Sequence, residues 1–290
     1  TDRVIRINLQ QDSVRFFLAL LCVWRQGLVH GIFNAALWPG DASSGGRRVH
    51  EHIHSARAGT MPQSRWKADE VRYTSEVGRK FYVDGRPRTF AGNTIICFVP
   101  PDSHIFQLAE WVQTQIRELS YAHKFALLPP SSFHMTVIEL LCDEVRVPAN
   151  WTPRLPLDAP LAQTDQFFIK ALADIPSPAA MRLRFRELAR RNLAINLEPA
   201  DRETDQALRT YRDRVVEATG VRFADHDSYQ FHISLAYKLI ELTEEEEDGI
   251  TQTLAHVNRH LHENFGLFQP PAPQLTFFDD MFHFSTSPAR

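Results

Sequence analysis

The chain has 290 residues, and its 32 Lys and Arg against 35 Asp and Glu give a formal net charge of −3. Hydrophobic residues make up 43% and charged residues 23%, a globular composition that excludes a collagen, a coiled coil and a wholly disordered chain. Proteins that bind long nucleic acids usually have a basic excess, because neutralising phosphates dominates that affinity. We therefore expect no long duplex nucleic acid as a partner, and any phosphate-bearing partner to be small or contacted only locally.

Residues 1–60 differ from the rest, and we expect them to be a weakly ordered extension before a domain of residues 61–290. Residues 16–24 are an uninterrupted apolar run, about half the length of a membrane-spanning helix, and residues 40–48 are typical of a flexible linker. A buried helix followed by a loop is the alternative. His50, His52 and His54 alternate beside the linker without a distant ligand at a metal-binding spacing. We expect no metal, no cofactor and no membrane partner.

The cysteines indicate the redox compartment. Cys22, Cys97 and Cys142 lie far apart and form no Cys-x-x-Cys motif. An odd number of cysteines cannot pair fully, so we expect a reducing compartment without a structural disulfide. The chain is interpreted as a cytoplasmic monomer.

Strands and helices alternate from residue 89 onward. Residues 89–99 are β-branched and apolar and predict a buried strand. Asp102 or Ser103 then caps a helix whose apolar stripe extends from Ile105 to Leu119. Residues 132–141 predict a second strand, and the proline-rich residues 148–163 predict a loop.

The second half of the chain continues this alternation. Residues 181–187 and 193–198 alternate between two sets of side chains and predict a β-hairpin. Residues 201–219 predict a helix that ends at Gly220, and residues 229–239 predict a strand. Thr243 and Glu246 form a capping box before a further helix, and residues 274–278 are a last strand. The order favours an α+β fold over a doubly wound parallel sheet.

Two pentapeptides 98 residues apart share one pattern, FHMTV at 133–137 and FHISL at 231–235. Each has an apolar residue, His, an apolar residue, a hydroxyl residue and an apolar residue inside a predicted strand. Because side chains alternate between the faces of a strand, His134 and Thr136 share one face of their strand, as do His232 and Ser234. Two such strands facing each other would line a cleft with two imidazoles and two hydroxyls.

These groups match the needs of displacement at a phosphodiester. Imidazole titrates near neutral pH, so two imidazoles can supply a general base and a general acid in one step. The hydroxyls of Thr136 and Ser234 can donate to the phosphate oxygens, and such donors can stabilise the charge without a metal. Either motif alone is better explained by a histidine in the core whose imidazole forms hydrogen bonds with neighbouring backbone groups. The pair together favours a functional site.

With these motifs the chain resembles the two-histidine (2H) phosphoesterase superfamily, which includes RNA 2′,5′-ligase-like proteins and cyclic nucleotide phosphodiesterases. The segments GNTIIC, LPPSSFHMTV and DHDSYQFHISLAY resemble an uncharacterised 2H phosphodiesterase-like branch over about residues 70–285. The resemblance implies a bilobal α+β fold in which two antiparallel sheets line a central cleft, with helices packed outside and two pseudo-symmetric lobes. Ser234 stands where the family more often has Thr, and its hydroxyl preserves the expected role.

The resemblance also implies a reaction. The family opens 2′,3′-cyclic phosphates or performs a related transesterification without a metal. One histidine would activate water or a ribose hydroxyl, and the other would protonate the leaving oxygen. The sequence leaves open which of His134 and His232 has which role. Thr136 and Ser234 would hold the non-bridging oxygens.

Four further residues are candidates for substrate binding, each with a structural alternative. Lys238 is predicted on the same face as His232, or at a solvated strand end. Arg182 belongs to a basic edge that could guide an anionic substrate, or to the solvent face of a hairpin. Asn93 could reach the cleft, or mark a bulge. Tyr229 could stack on a base, or belong to the core.

The sequence therefore predicts a hydrolase of the 2H type. Its expected partner is a cyclic nucleotide or an RNA terminus with a cyclic phosphate. The alternative is a non-catalytic module that binds an RNA end or a nucleotide in the same cleft. Two complete histidine–hydroxyl pairs favour the enzyme, because a pure binder has no need of two titrating groups.

Overall fold

The computed structural model describes residues 71–179, 181–190 and 192–288. The predicted extension over residues 1–60, with its apolar run and alternating histidines, lies outside the described residues. In the described ranges, no helix combines the length and the apolar character that crossing a membrane requires.

Four α-helices and ten β-strands lie in these ranges. The helices are α1 (His104–Arg117), α2 (Leu161–Leu172), α3 (Arg202–Thr219) and α4 (Glu244–Asn264). The strands are β1 (Gly92–Phe98), β2 (Phe125–Leu127), β3 (His134–Cys142), β4 (Leu183–Ala189), β5 (Ala194–Pro199), β6 (His232–Ser234), β7 (Ala236–Lys238), β8 (Leu267–Phe268), β9 (Gln274–Phe278) and β10 (Phe284–Ser285).

Eight strands form one antiparallel sheet in the order β10-β9-β1-β3-β6-β5-β4-β8, and β2 pairs with β7 in a separate two-stranded sheet. This architecture confirms the predicted α+β class. The predicted hairpin is also present, as β4 paired with β5. The two halves of the main sheet join edge to edge, because β3 and β6 pair directly at Met135 and Ile233.

The centre of the sheet consists of two similar strand–helix–strand units. β1, α1 and β3 form one unit with antiparallel strands, and β5, α3 and β6 form the other. Because the sheet order is β1-β3-β6-β5, the second strands of the two units are neighbours at the centre. The two histidine motifs are therefore adjacent in space although they are 98 residues apart in sequence.

One row of side chains across these four strands is fully buried. Its members are aligned by the strand register and are each 0% exposed: Cys97, Met135, Ile233 and Ile195. They belong to the main hydrophobic core, to which the apolar faces of the helices also contribute. Because neighbouring residues of a strand point to opposite faces, the residues on either side of this row point away from that core.

The helix ends follow the predicted signals. The Ser103 side chain caps α1 by accepting a hydrogen bond from the Phe106 N–H, and Thr243 and Glu246 form the capping box of α4. Gly220 ends α3 with a φ of 75°. A β-carbon at Gly220 would lie 2.7 Å from Pro153, so both the left-handed backbone and the close contact require glycine there.

Two features differ from the prediction. The helix α2 begins at Leu161, inside the predicted loop of residues 148–163, and was not expected from the sequence. Its N-cap is Pro160, which makes no side-chain capping bond, so the usual polar start signal is missing. The strand expected over residues 229–239 is divided, because β6 pairs within the main sheet whereas β7 pairs with β2.

Candidate active site

The four motif side chains form a square on two adjoining strands. Met135 and Ile233 are paired and point into the core. On the other face His134 therefore lies opposite Ser234, and Thr136 lies opposite His232. In an antiparallel pair, opposite residues have β-carbons about 4.5–5.5 Å apart and diagonal neighbours lie about 7–8 Å apart. The two imidazoles thus occupy one diagonal, at a separation that a phosphate group can bridge.

The two imidazoles are oriented in the same way. His134 Nδ1 lies 2.7 Å from the Ser132 carbonyl oxygen, and His232 Nδ1 lies 2.9 Å from the Gln230 carbonyl oxygen. A carbonyl oxygen only accepts hydrogen bonds, so Nδ1 carries the proton in both rings. The other nitrogen of each ring, Nε2, can then accept a proton when the ring is neutral and donate one when the ring is charged.

The surroundings of His134 favour its neutral form. Its ring centroid lies 4.4 Å from that of Phe284. Burial lowers the pKa of His134 to about 4, with the Ser132 carbonyl opposing the shift and His232 adding to it. His134 is therefore uncharged at neutral pH, with its Nε2 lone pair available to accept a proton.

Two bulges in β3 change which of its side chains face the cavity. The pairing with β1 shifts by one residue between Thr136 and Ile138, and again between Glu139 and Cys142. Each shift places an extra residue in β3 and turns the next side chain to the other face. Of β3, the polar residues that line the cavity are consequently His134, Thr136, Glu139 and Cys142, and parts of Leu140 and Leu141 also border it. Two pairs of adjacent apolar residues lie between these polar residues, and all four apolar residues are buried: Val137, Ile138, Leu140 and Leu141.

A similar change of face separates β6 from β7. Leu235 and Ala236 are both 1% exposed, so the residue that next faces the cavity is Tyr237. Lys238, which the alternation predicts on the face of His232, lies elsewhere. Its Nζ is 2.6 Å from a Glu241 carboxylate oxygen, and the residue lines a different depression of the surface.

A buried glutamine fixes the chain at this change of face. Gln113 of α1 is 0% exposed. Its side-chain Nε2 donates to the carbonyl oxygens of Leu128, at 2.7 Å, and Leu235, at 2.8 Å. Arg117 in turn donates to the Gln113 side-chain oxygen at 2.9 Å. These bonds hold the chain between Ser234 and Tyr237.

The four motif residues line one cavity of about 250 Å³. Its apolar wall combines aliphatic side chains with five aromatic ones: Phe90, Phe223, Tyr237, Phe278 and Phe284. Two cationic side chains, Arg79 and Lys80, also line it. Although burial alone would lower it, the pKa of Lys80 is raised by Tyr237 and Glu76, so the ammonium group remains charged. The cavity therefore combines aromatic surface, positive charge and paired imidazoles.

Comparisons with known proteins point to one superfamily. Residues 80–194 match the model of the family 2H-phosphodiest, described as a domain of unknown function (DUF1868). A conserved protein of unknown function from Agrobacterium tumefaciens has a solved structure that is similar over 75% of this chain and 93% of its own, with a TM-score of 0.70 and 26% identity. The family model and this solved structure support the two-histidine phosphoesterase superfamily.

Two other comparisons add little to this assignment. The match to a solved structure from Thermus thermophilus covers 52% of this chain and 76% of that protein, but its TM-score of 0.35 and identity of 18% are too low to bear on the site. The curated proteins give no significant match to the sequence.

The remaining sequence candidates differ in their relation to the cavity. Asn93 borders it, but both ends of its amide are engaged, by the Leu141 N–H at 3.0 Å and by Asp165 at 3.1 Å. It lies where the register of β1 and β3 shifts. Arg182 is exposed and pairs with Asp201 at 3.4 Å, and it does not line the cavity.

Tyr229 lies behind the cavity rather than in its wall. Its ring packs 4.5 Å from the Arg212 guanidinium. Its hydroxyl is buried without a well-formed hydrogen bond among the described residues. Burial raises the pKa of Tyr229 well above its ordinary value, and the Glu139 carboxyl adds to the rise. Tyr229 and Glu139 are therefore close enough to interact.

Among the residues that line the cavity, sequence reasoning missed the charged side chains of Arg79, Lys80 and Glu139 and the phenol of Tyr237. Glu139 and Tyr237 had a signal, because each follows a doubled apolar pair where strict alternation fails. Arg79 and Lys80 lie in a segment without regular elements, so no periodicity connected them to the histidines. In the described part of the chain, no three His, Cys, Asp or Glu side chains are grouped as metal ligands would be.

Proposed function

We propose that this protein is a metal-independent phosphodiesterase that opens a 2′,3′-cyclic phosphate, or a related phosphodiester, at an RNA end or in a small nucleotide. The observation that supports this most is the square of side chains on β3 and β6. Two imidazoles with their Nδ1 protons fixed on carbonyl oxygens lie on one diagonal, and two hydroxyls lie on the other.

The proposed step uses each group of the square once. The Nε2 of one histidine removes a proton from water as the water oxygen bonds to phosphorus. The bond from phosphorus to one ribose oxygen breaks, and the Nε2–H of the other histidine protonates that oxygen. The hydroxyls of Thr136 and Ser234 donate to the non-bridging oxygens, where negative charge accumulates. The product is a phosphate monoester beside a free ribose hydroxyl.

The rest of the cavity supports a nucleotide as the substrate. Lys80 and Arg79 can attract a phosphate, and aromatic rings such as Phe278 and Phe223 can pack against a base. The volume of about 250 Å³ is near the lower end of ligand pockets, roughly 300–1,000 Å³. It suits one nucleotide unit rather than a duplex.

Incubation with the four 2′,3′-cyclic nucleotides, with and without EDTA, tests the proposal. We expect a nucleoside monophosphate to form at the same rate in both conditions. Tight binding without product would instead indicate the binding module, and activity that EDTA abolishes and a divalent metal restores would indicate a metal hydrolase. Either result would overturn the proposal. The His256→Asn variant, which alters an exposed histidine of α4, should match the parent and is the control.

A further inference from the structure

The two halves of the site differ at one pair of matching positions. The offset of 98 residues that relates His134 to His232 and Thr136 to Ser234 also relates Glu139 to Tyr237. Both of the latter face the cavity, and each follows a doubled buried pair. One half therefore supplies a carboxyl group where the other supplies a phenol. This asymmetry offers a physical basis for giving the two histidines different roles.

Glu139 lies on the side of the square that holds His232. The register aligns Thr136 with His232, and Glu139 is the next residue of β3 beyond Thr136 that faces the cavity. Glu139 is exposed to solvent in the cavity, but partial desolvation by the surrounding protein still raises its pKa, with Asp225 adding to the rise and the His232 ring opposing it. The two groups therefore interact electrostatically. His134 lies on the other side of the square, against the Phe284 ring.

Other charged and titratable groups also face Glu139. They come from the segment before β1, from α3 and from the loop before β6: Lys80, Arg212, Asp225 and Tyr229. The two cations have closer partners, since Lys80 pairs with Glu76 at 3.3 Å and Arg212 donates to the His226 carbonyl oxygen at 2.9 Å. No cation of the described chain lies within ion-pair distance of Glu139. Its carboxylate is thus available to the neighbouring imidazole.

We propose that Glu139 is a positioning residue that stabilises the protonated form of His232, which makes His232 the general acid and His134 the general base. The acid and base roles in this inference rest on the proposed function, because they refer to the reaction proposed there. Water gives its proton to His134 Nε2, the phosphorus–oxygen bond breaks, and His232 Nε2–H gives its proton to the leaving ribose oxygen. A nearby carboxylate favours an imidazolium over a neutral imidazole. The apolar contact of His134 has the opposite effect.

Ring titrations by NMR, without substrate, test this assignment. In the Glu139→Gln variant we expect the titration midpoint of the His232 ring to move to lower pH by about one unit, because an opposite charge is lost. The His134 ring should titrate as in the parent. In the Glu139→Asp variant the carboxylate remains, but the shorter side chain holds it farther from the His232 ring. The His232 midpoint should therefore lie between those of the parent and of Glu139→Gln. An unchanged His232 midpoint in both variants would overturn the proposal.

The pH dependence of kcat/KM gives a second readout. The Glu139→Gln variant should lose activity mainly at high pH, because the alkaline limb, where His232 loses its proton, moves to lower pH. A loss of equal size at every pH would show a structural role and would overturn the proposal. The control is Glu198→Gln, which removes a carboxylate of β5 that pairs with Arg184 outside the cavity, and it should leave both readouts unchanged.

The two readouts separate this inference from the proposed function. The ring titrations require no turnover, so a protein that hydrolyses no cyclic phosphate still reports the coupling of Glu139 to His232. Conversely, cyclic phosphodiesterase activity with an unchanged His232 titration in Glu139→Gln would leave the proposed function standing and reject the role of Glu139.

Discussion

His134 combines exposure to a cavity with an environment that disfavours its charge. Its Nδ1 is bound to the Ser132 carbonyl oxygen, and its ring lies against Phe284. An imidazole held in this way is neutral over the range in which most enzymes work, so its Nε2 is ready to accept a proton. The same environment has a consequence for folding, because protonation of the native ring is disfavoured.

This consequence predicts a pH-dependent stability. The pKa of His134 falls from 6.5 to about 4 in the native state. As pH drops from about 6.5 towards 4, the unfolded chain takes up a proton that the native chain does not, so the free energy of unfolding decreases. Replacing His134 with Asn removes the contribution of this histidine to the fall in the free energy of unfolding. Urea unfolding at pH 7.5 and pH 4.5 should therefore show a smaller difference for His134→Asn than for the parent.

The matched control for this prediction is His256→Asn. His256 is an exposed histidine of α4, and its replacement should leave the pH dependence of the parent unchanged. An equal loss of stability on acidification in the parent and in His134→Asn would contradict the account of His134.

Individual residues were predictable to different degrees. The His134 and His232 motifs are recognisable because each repeats a short pattern, and the structure places both in one cavity. Lys238 was expected on the face of His232 because strict alternation was extended across Leu235 and Ala236. The chain leaves the main sheet there, so the alternation does not continue. A change of sheet depends on tertiary pairing, which periodicity within one segment does not contain.

Elements with strong local signals formed where the sequence predicts them. Ser103 caps α1 and the Thr243 capping box begins α4. Helix α2 has no comparable signal at its start, and the bulges of β3 depend on its pairing with β1. Local propensity therefore predicts the existence of most elements. It does not predict the bulge positions that turn Glu139 into the cavity.

Gln113 connects an element to the site, which predicts the effect of its loss. In Gln113→Met the Leu128 carbonyl oxygen loses its side-chain donor, whereas the Leu235 carbonyl oxygen keeps the Leu128 N–H at 3.0 Å. A buried polar group left unsatisfied costs about 1–3 kcal/mol. We expect the variant to be less stable by roughly 2 kcal/mol in urea unfolding. We also expect lower turnover, because the backbone after Ser234 is less firmly held.

The control for Gln113 lies on the same helix. Gln107 is exposed, and the Gln107→Met change should alter the stability by no more than about 0.5 kcal/mol. If Gln113→Met were as stable and as active as Gln107→Met, the role given to the buried amide would be wrong.

At the scale of the whole molecule, two strand–helix–strand units meet at their second strands. Their arrangement explains why a repeat of 98 residues in the sequence becomes a square of four side chains in the structure. The α+β class followed from the alternation of elements. The direct pairing of β3 with β6 did not, because a repeated motif indicates similar units but not which edges of the units join. The cavity segment containing Arg79 and Lys80 also required the complete fold.

The pH dependence of kcat/KM for a 2′,3′-cyclic nucleotide tests most directly whether the two imidazoles act as a pair. We expect a bell-shaped profile whose acid limb lies near pH 4, where His134 is protonated, and whose alkaline limb reports the loss of the His232 proton. His134→Asn and His232→Asn should each lose at least about a hundredfold in rate and one limb of the bell. A flat profile from about pH 4 to 9, or a folded single variant with the parental rate, would contradict the account.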